Sequence, residues 1–149
     1  MKKLVLLSLF LALFVTTSVA MAGKPASEVR GHGKVQLFGD AVSVSQIEVN
    51  AWLDGAGVAH GSLNWTGGVG PETVPPALPW HMDVTSIVVS GTTATVCWVV
   101  VHSVVPEDIG LDGCFDFTDN SATGAPDEIA SDFDPGVSVP IEAGNIIVR

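Results

Sequence analysis

Basic residues are scarce in this chain, and they are unevenly placed. The sequence has six Lys and Arg against sixteen Asp and Glu, and neither Lys nor Arg occurs between Val35 and Val148. Two of the six basic residues and none of the acidic ones lie in residues 1–22, so residues 23–149 carry a net charge of −12. Because nucleic-acid affinity depends on neutralising phosphates with cations, the composition argues against a nucleic-acid or anionic-lipid partner.

Long apolar segments are lacking beyond the N-terminus. Lys2 and Lys3 precede an apolar run at residues 4–15, and small residues follow it, which is the layout of a secretory signal peptide spanning residues 1–22. The run is shorter than the roughly 20 residues that cross a bilayer. We therefore expect residues 23–149 to form one exported domain, secreted or periplasmic, without a membrane span.

Cysteine is limited to Cys97 and Cys114. An exported protein meets an oxidising environment, which predicts a disulfide between them. A closed loop of this length would stabilise the fold by roughly 3 kcal/mol in the chain-entropy picture. Two buried free thiols are the alternative.

Helical periodicity is absent after the predicted signal peptide. The chain consists of short β-rich runs such as "VAHGSLNW" and "MDVTSIVVSGTTATVCWVVVHSVV", separated by Gly, Pro, Asn and Asp. The Ser90-Gly91 step inside the longer run predicts a tight hairpin. Frequent turns without helices favour a single antiparallel β-sandwich, with a small β-barrel as the alternative.

Several of these runs carry a resemblance. The stretches "DVTSIVVSGTTATV", "GCFDFTDNSATGAPDEI" and "EAGNIIVR", with the earlier "GHGKVQLFG" and "VAHGSLNW", resemble the small exported bacterial domains known as post-COAP domains, over residues 31–149. The resemblance implies a secreted all-β module, often attached to larger extracellular proteins, without an established activity. This chain departs from the pattern in Cys97, in Cys114 and in the inserted "VVPEDIGLDG".

The stretch "GCFDFTDNSATGAPDEIASDFDPG", residues 113–136, is strongly acidic. Phe115 and Phe117 share one strand face and are expected in the core, whereas the residues from Asp119 onward are typical of turns. A solvated acidic loop is one interpretation. A calcium site is the other, because Ca²⁺ binds six to eight oxygen ligands. The available ligands are Asp119, Asn120, Asp127, Glu128, Asp132 and Asp134.

Catalytic patterns are weak in this sequence. The acidic 107–134 region supplies carboxylates for a small extracellular hydrolase, but such chemistry needs two carboxylates facing across a cleft. The four histidines, at positions 32, 60, 81 and 102, lack the short paired spacing of zinc ligands. We expect each histidine to be an ordinary strand or loop residue.

Trp52 is the candidate ligand-binding residue. Strand alternation places it with Asn50 and Asp54 on a polar face, where its ring could stack against a carbohydrate or an extracellular protein. The alternative is that the loop "GPETVPPALPW" covers Trp52 as part of the core. Together these observations predict an exported binding or structural module without enzyme activity, with the hydrolase as the alternative.

Overall fold

The computed structural model describes residues 27–36, 44–67, 79–133 and 135–149. They form eight β-strands and a short 3-10 helix at Pro106–Asp108. The strands are β1 (Ser27–Val35), β2 (Ser45–Leu53), β3 (Ala59–Gly67), β4 (Trp80–Ser90), β5 (Thr93–His102), β6 (Asp112–Thr118), β7 (Glu128–Ser131) and β8 (Ser138–Val148). The predicted signal peptide and residues 70–78 of the Pro-rich loop lie outside the described residues.

The strands close into one antiparallel barrel. Each strand pairs with the next one along the chain, and β8 returns to pair with β1, from Val29 opposite Val148 to Val35 opposite Ile141. The predicted antiparallel all-β class is confirmed. The architecture is the small barrel named as the alternative rather than the β-sandwich, because β1 is hydrogen-bonded on both sides within one continuous sheet.

Apolar side chains fill the interior of the barrel. Trp98 from β5 is completely buried, and its ring stacks on Phe115 with the ring centroids 5.3 Å apart. Phe117 is buried beside them, so the core position predicted for both phenylalanines is confirmed. Aliphatic residues complete the core, among them Val29, Val35, Ile47, Val49, Leu63, Met82, Val96, Ile129 and Ile146. Eight strands enclose a space that side chains can fill, so most polar side chains of the described strands lie on the outer surface of the barrel.

Two glycines allow neighbouring strands to approach closely. Gly61 in β3 and Gly144 in β8 have φ angles of +123° and +135°, which side chains with a Cβ rarely adopt. A Cβ on Gly61 would overlap the carbonyl oxygen of Asn50 on β2, and a Cβ on Gly144 would overlap that of His32 on β1. Glycine kinks of this kind let a sheet curve enough to close.

The sheet contains the predicted disulfide and hairpin. Cys97 on β5 lies directly opposite Cys114 on β6, and their sulfur atoms are bonded. Ser90 pairs with Thr93, so β4 and β5 are joined by a two-residue turn in which Gly91 has a φ of +64°. Both predictions are confirmed.

The start of β1 and the end of β8 lie side by side. The backbone groups of Glu28 and Arg149 exchange two hydrogen bonds, of 2.8 and 2.9 Å. The buried Glu28 carboxylate also forms ion pairs with Arg149 and Arg30.

No helix in the described part of the chain has the length and hydrophobicity needed to cross a bilayer.

Candidate functional site

The outer surface of β1, β2 and β3 is polar, and we call it the polar face. On β2 the even-numbered residues Gln46, Glu48 and Asn50 are exposed, while Ile47 and Val49 between them are buried. This alternation is the two-residue period of a strand with one face on the core. The polar face comprises Arg30, His32 and Lys34 on β1, Gln46, Glu48, Asn50 and Trp52 on β2, and His60, Ser62, Asn64 and Thr66 on β3.

Trp52 lies at one end of the polar face and is half-buried. Its cross-strand neighbour on β3 is His60, and the two rings stack with centroids 5.8 Å apart and an angle of 24° between their planes. Glu28 is its neighbour on β1. The prediction that Trp52 belongs to the polar face is confirmed, and its ring remains partly accessible.

Asp54 holds the turn that positions His60. Its Oδ1 accepts hydrogen bonds from the backbone amides of Ala56 and Val58, both at 2.9 Å, and its Oδ2 lies 2.9 Å from Nε2 of His60. The hydrogen bond from His60 lowers the pKa of the Asp54 carboxyl, and the two amides lower it further. Asp54, predicted as a ligand-binding residue, therefore orients the His60 ring against Trp52.

A groove of about 580 Å³ runs across the polar face where β8, β1, β2 and β3 adjoin. Gly33 and Gly144 line it and bring no side chain into it. Its polar lining is formed by His32, Lys34, Gln46, Glu48, Asn64 and Thr66. Amide, hydroxyl and charged groups provide both donors and acceptors, so the groove can hydrogen-bond a ligand rich in hydroxyl groups.

The acidic loop between β6 and β7 fastens β8 to the barrel. β7 is short and pairs with β8 over only three residue pairs. Beyond that ladder, Oδ2 of the buried Asp127 accepts the amide of Ile146 at 2.7 Å, and its Oδ1 accepts the amide of Asn120 at 2.8 Å. Oδ2 of Asp119 accepts the amide of Val148 at 3.2 Å. Along the seam between this loop and β8, carboxylate oxygens therefore accept the amide hydrogen bonds that the backbone of a paired strand would otherwise accept.

The pKa of Asp119 is lowered by its surroundings. Hydrogen bonding from Ser121 is the main cause, and the Val148 amide and the charge of Arg149 act in the same direction. A depressed pKa in the folded state means that the stability from this group is present above the pKa of an unfolded aspartate. That stability is lost as the pH falls through the lower folded pKa.

The other predicted calcium ligands have separate roles. Oδ2 of Asp132 accepts the amide of Cys114 at 2.9 Å, and Oε2 of Glu128 accepts the hydroxyl of Ser138 at 2.8 Å. Asp134 lies outside the described residues. In the described part of the chain no three Asp, Glu, His or Cys side chains are grouped so that they could hold a metal ion. The calcium site stays a prediction.

If the acidic loop is the solvated turn, millimolar Ca²⁺ should raise the melting temperature no more than sodium chloride of matched ionic strength does. The physical reason is that the Asp119 and Asp127 carboxylates accept backbone amides within the fold, and in the described part of the chain they are not grouped with a third ligand around one ion. Thermal melting in chelator, in calcium and in the salt control measures the effect. A specific site would instead add about 2.7 kcal/mol at a hundred times its Kd, and such a shift would establish the calcium site.

The groove does not contain the carboxylate pair of the hydrolase hypothesis. Glu48 is the carboxylate among its lining residues, and it lies outside the 107–134 region. Within that region, Asp108 accepts hydrogen bonds from Nε1 of Trp80 at 2.8 Å and from the hydroxyl of Ser103 at 3.1 Å. Asp108, the last residue of the 3-10 helix, therefore connects this helix to Trp80 on β4 and to Ser103 just after β5.

Sequence reasoning identified Trp52 and Asn50 on the polar face but missed the groove. Gln46 and Glu48 lie on the same side of β2 as Trp52, and this was already implied by the strand alternation. To place Asn64 and Thr66 in the groove, the register of β2 with β3 must be known, and in that register Glu48 is opposite Asn64. The turn at residues 54–58 sets that register, and Asp54 was the available signal.

Comparison of the chain with protein-family models, with curated proteins and with solved structures found no match. The resemblance to post-COAP domains therefore stays a prediction.

Proposed function

We propose that the chain is an exported, non-enzymatic binding module that recognises a carbohydrate through the polar face of β1, β2 and β3. The observation that carries this proposal is the half-exposed Trp52 ring in line with the polar groove on β2. Trp52 lies four residues along β2 from Glu48, which corresponds to roughly 13 Å of extended strand. An elongated ligand can therefore contact the ring and the groove at the same time.

The chemistry of the groove favours a carbohydrate. Lys34 and Glu48 carry opposite charges, and the neutral groups Gln46, Asn64 and Thr66 lie beside them. Amide and hydroxyl groups can each donate and accept hydrogen bonds, as the hydroxyl groups of a sugar do. The aromatic ring of Trp52 adds a flat apolar surface with a polar edge. Neither feature requires a charged ligand.

Export is supported by the signal-peptide pattern in residues 1–22 and by the disulfide between Cys97 and Cys114. Disulfides persist in oxidising compartments. Carbohydrates of cell walls and extracellular matrices are present in those compartments, which makes the location consistent with the proposed ligand class.

Trp52→Ala is expected to weaken carbohydrate binding by about 30-fold, because an aromatic anchor contributes about 2 kcal/mol. The measurement is a glycan array on residues 23–149, followed by titration of the best ligand. Gln46→Ala should weaken binding by a smaller factor. Val88→Ala is the matched control, since Val88 is 63% exposed on β4 and lies outside the polar face.

Two outcomes would contradict the proposal. One is a Trp52→Ala variant that binds the best glycan as tightly as the unmodified protein does. The other is an unmodified protein that binds none of the glycans but captures a protein ligand through the polar face. Melting curves of all variants separate loss of binding from loss of folding.

A further inference from the structure

Two histidines that lie far apart in the sequence, without the short spacing typical of metal ligands, lie directly opposite each other in the barrel. His81 at the start of β4 pairs with His102 at the end of β5, and both side chains are exposed. Directly opposite residues of antiparallel strands have Cβ atoms about 5 Å apart. Imidazole nitrogens bind metal ions at about 2 Å, so one ion can bridge such a pair.

A β-bulge turns His102 toward the outside. Along β5 the even-numbered residues Ala94, Val96, Trp98 and Val100 are buried, and simple alternation would direct residue 102 inward as well. The register shifts between His81 and Met82, so that Met82 is opposite Val100 while His81 is opposite His102. The extra residue is Val101, and both Val101 and His102 are exposed. Bulges re-aim side chains in this way.

Asn64 fixes the His81 ring in a state suited to metal binding. Nδ1 of His81 lies 2.6 Å from Oδ1 of Asn64 on the neighbouring strand β3. An amide oxygen only accepts hydrogen bonds, so Nδ1 carries the proton and Nε2 presents its lone pair. Metal-binding histidines characteristically donate their second ring N–H to an oxygen acceptor, which sets the tautomer and the ring orientation.

We propose that His81 and His102 form a surface binding site for a divalent transition-metal ion, with Asn64 as the positioning residue. No third Asp, Glu, His or Cys in the described ranges joins them in a metal-binding group. Water or an external ligand therefore supplies the remaining coordination positions. A two-imidazole site should bind Cu²⁺ more tightly than Ni²⁺ or Zn²⁺, following the general order of divalent metals on nitrogen ligands. The excess of acidic residues favours the approach of cations.

The test is isothermal titration of residues 23–149, produced without a polyhistidine tag, with Cu²⁺, Ni²⁺ and Zn²⁺ separately. We expect one Cu²⁺ per chain, and at least a tenfold weaker affinity in each of His81→Ala and His102→Ala. His32→Ala is the matched control, because His32 is also exposed on the outer surface but lies on β1, and it should leave the affinity unchanged. Electron paramagnetic resonance of the Cu²⁺ complex should show nitrogen coupling that decreases in each of the two variants.

Asn64 provides a second test that a site elsewhere would not reproduce. Asn64→Asp should tighten Cu²⁺ binding, because a carboxylate acceptor raises the basicity of the ligating imidazole, and Asn64→Leu should weaken it by about tenfold. The proposal is overturned if His81→Ala or His102→Ala binds Cu²⁺ as tightly as the unmodified protein, or if the unmodified protein binds none. Because both histidines are exposed, melting temperatures of the variants should stay unchanged.

Discussion

Gly61→Ala is expected to lower the free energy of unfolding by about 3 kcal/mol or more. Two costs combine. A φ of +123° is rarely adopted by residues with a Cβ, and holding one in a sparsely populated region costs about 1–3 kcal/mol. The added Cβ would also overlap the carbonyl oxygen of Asn50, so β2 and β3 would have to move apart, at a cost typical of overpacking, about 1–3 kcal/mol.

Urea denaturation monitored by tryptophan fluorescence measures this effect. Gly55→Ala is the matched control, because Gly55 lies in the turn after β2 and a Cβ there would contact nothing within 4 Å. The control should unfold at nearly the same urea concentration as the unmodified protein. Equal midpoints for Gly61→Ala and Gly55→Ala would show that the β2–β3 approach is not limited by the glycine.

Asp127→Ala is expected to destabilise the barrel by about 3 kcal/mol. The substitution removes the acceptors of two backbone amides, those of Ile146 and Asn120. The hydrogen bond to Ile146 is buried, and a buried donor without an acceptor costs about 1–3 kcal/mol. Because the loss falls on the seam between the acidic loop and β8, the β8 amides should also exchange with solvent faster.

Hydrogen exchange and thermal melting together check this prediction. Asp127→Asn retains one side-chain oxygen and should lose about half as much stability. The exposed Asp112 on β6 gives the control Asp112→Ala, which removes the same charge without a seam contact and should leave stability nearly unchanged. If Asp112→Ala and Asp127→Ala melt together, the contribution of Asp127 is one of net charge and not of hydrogen bonding.

The strand faces were predictable because alternation along β2 and the paired phenylalanines of β6 are local patterns. Ile47, Val49 and Ala51 are buried and Trp52 is not, as the two-residue period indicates. Closure was harder to predict, because alternation assigns a face to each residue but does not say which strand is its partner. The pairing of β1 with β8 distinguishes the barrel from the sandwich, and it is visible only in the structure.

The acidic loop and the histidine pair show a different limit. The turn chemistry after Asp119 was readable, but the function of Asp127 depends on where β7 begins relative to β8, and sequence patterns give strand boundaries poorly. His102 was hidden by the bulge at Val101, which reverses the alternation that predicts an inward side chain. Both features arise where a regular pattern is interrupted.

The pairing of β1 with β8 also determines the order in which the strands pair during folding. Among the described strands, every other ladder joins neighbours in sequence, whereas Val29 and Val148 come from opposite ends of the chain. Contacts between distant residues form late because the chain entropy of closing the intervening loop must be lost before they contribute. The hairpins can therefore associate locally first, and docking of β8 onto β1 becomes the step that sets the folding rate. The contacts of Arg149 with Glu28 join the end of β8 to the start of β1 and belong to that docking step, so weakening them should slow folding as well as accelerate unfolding.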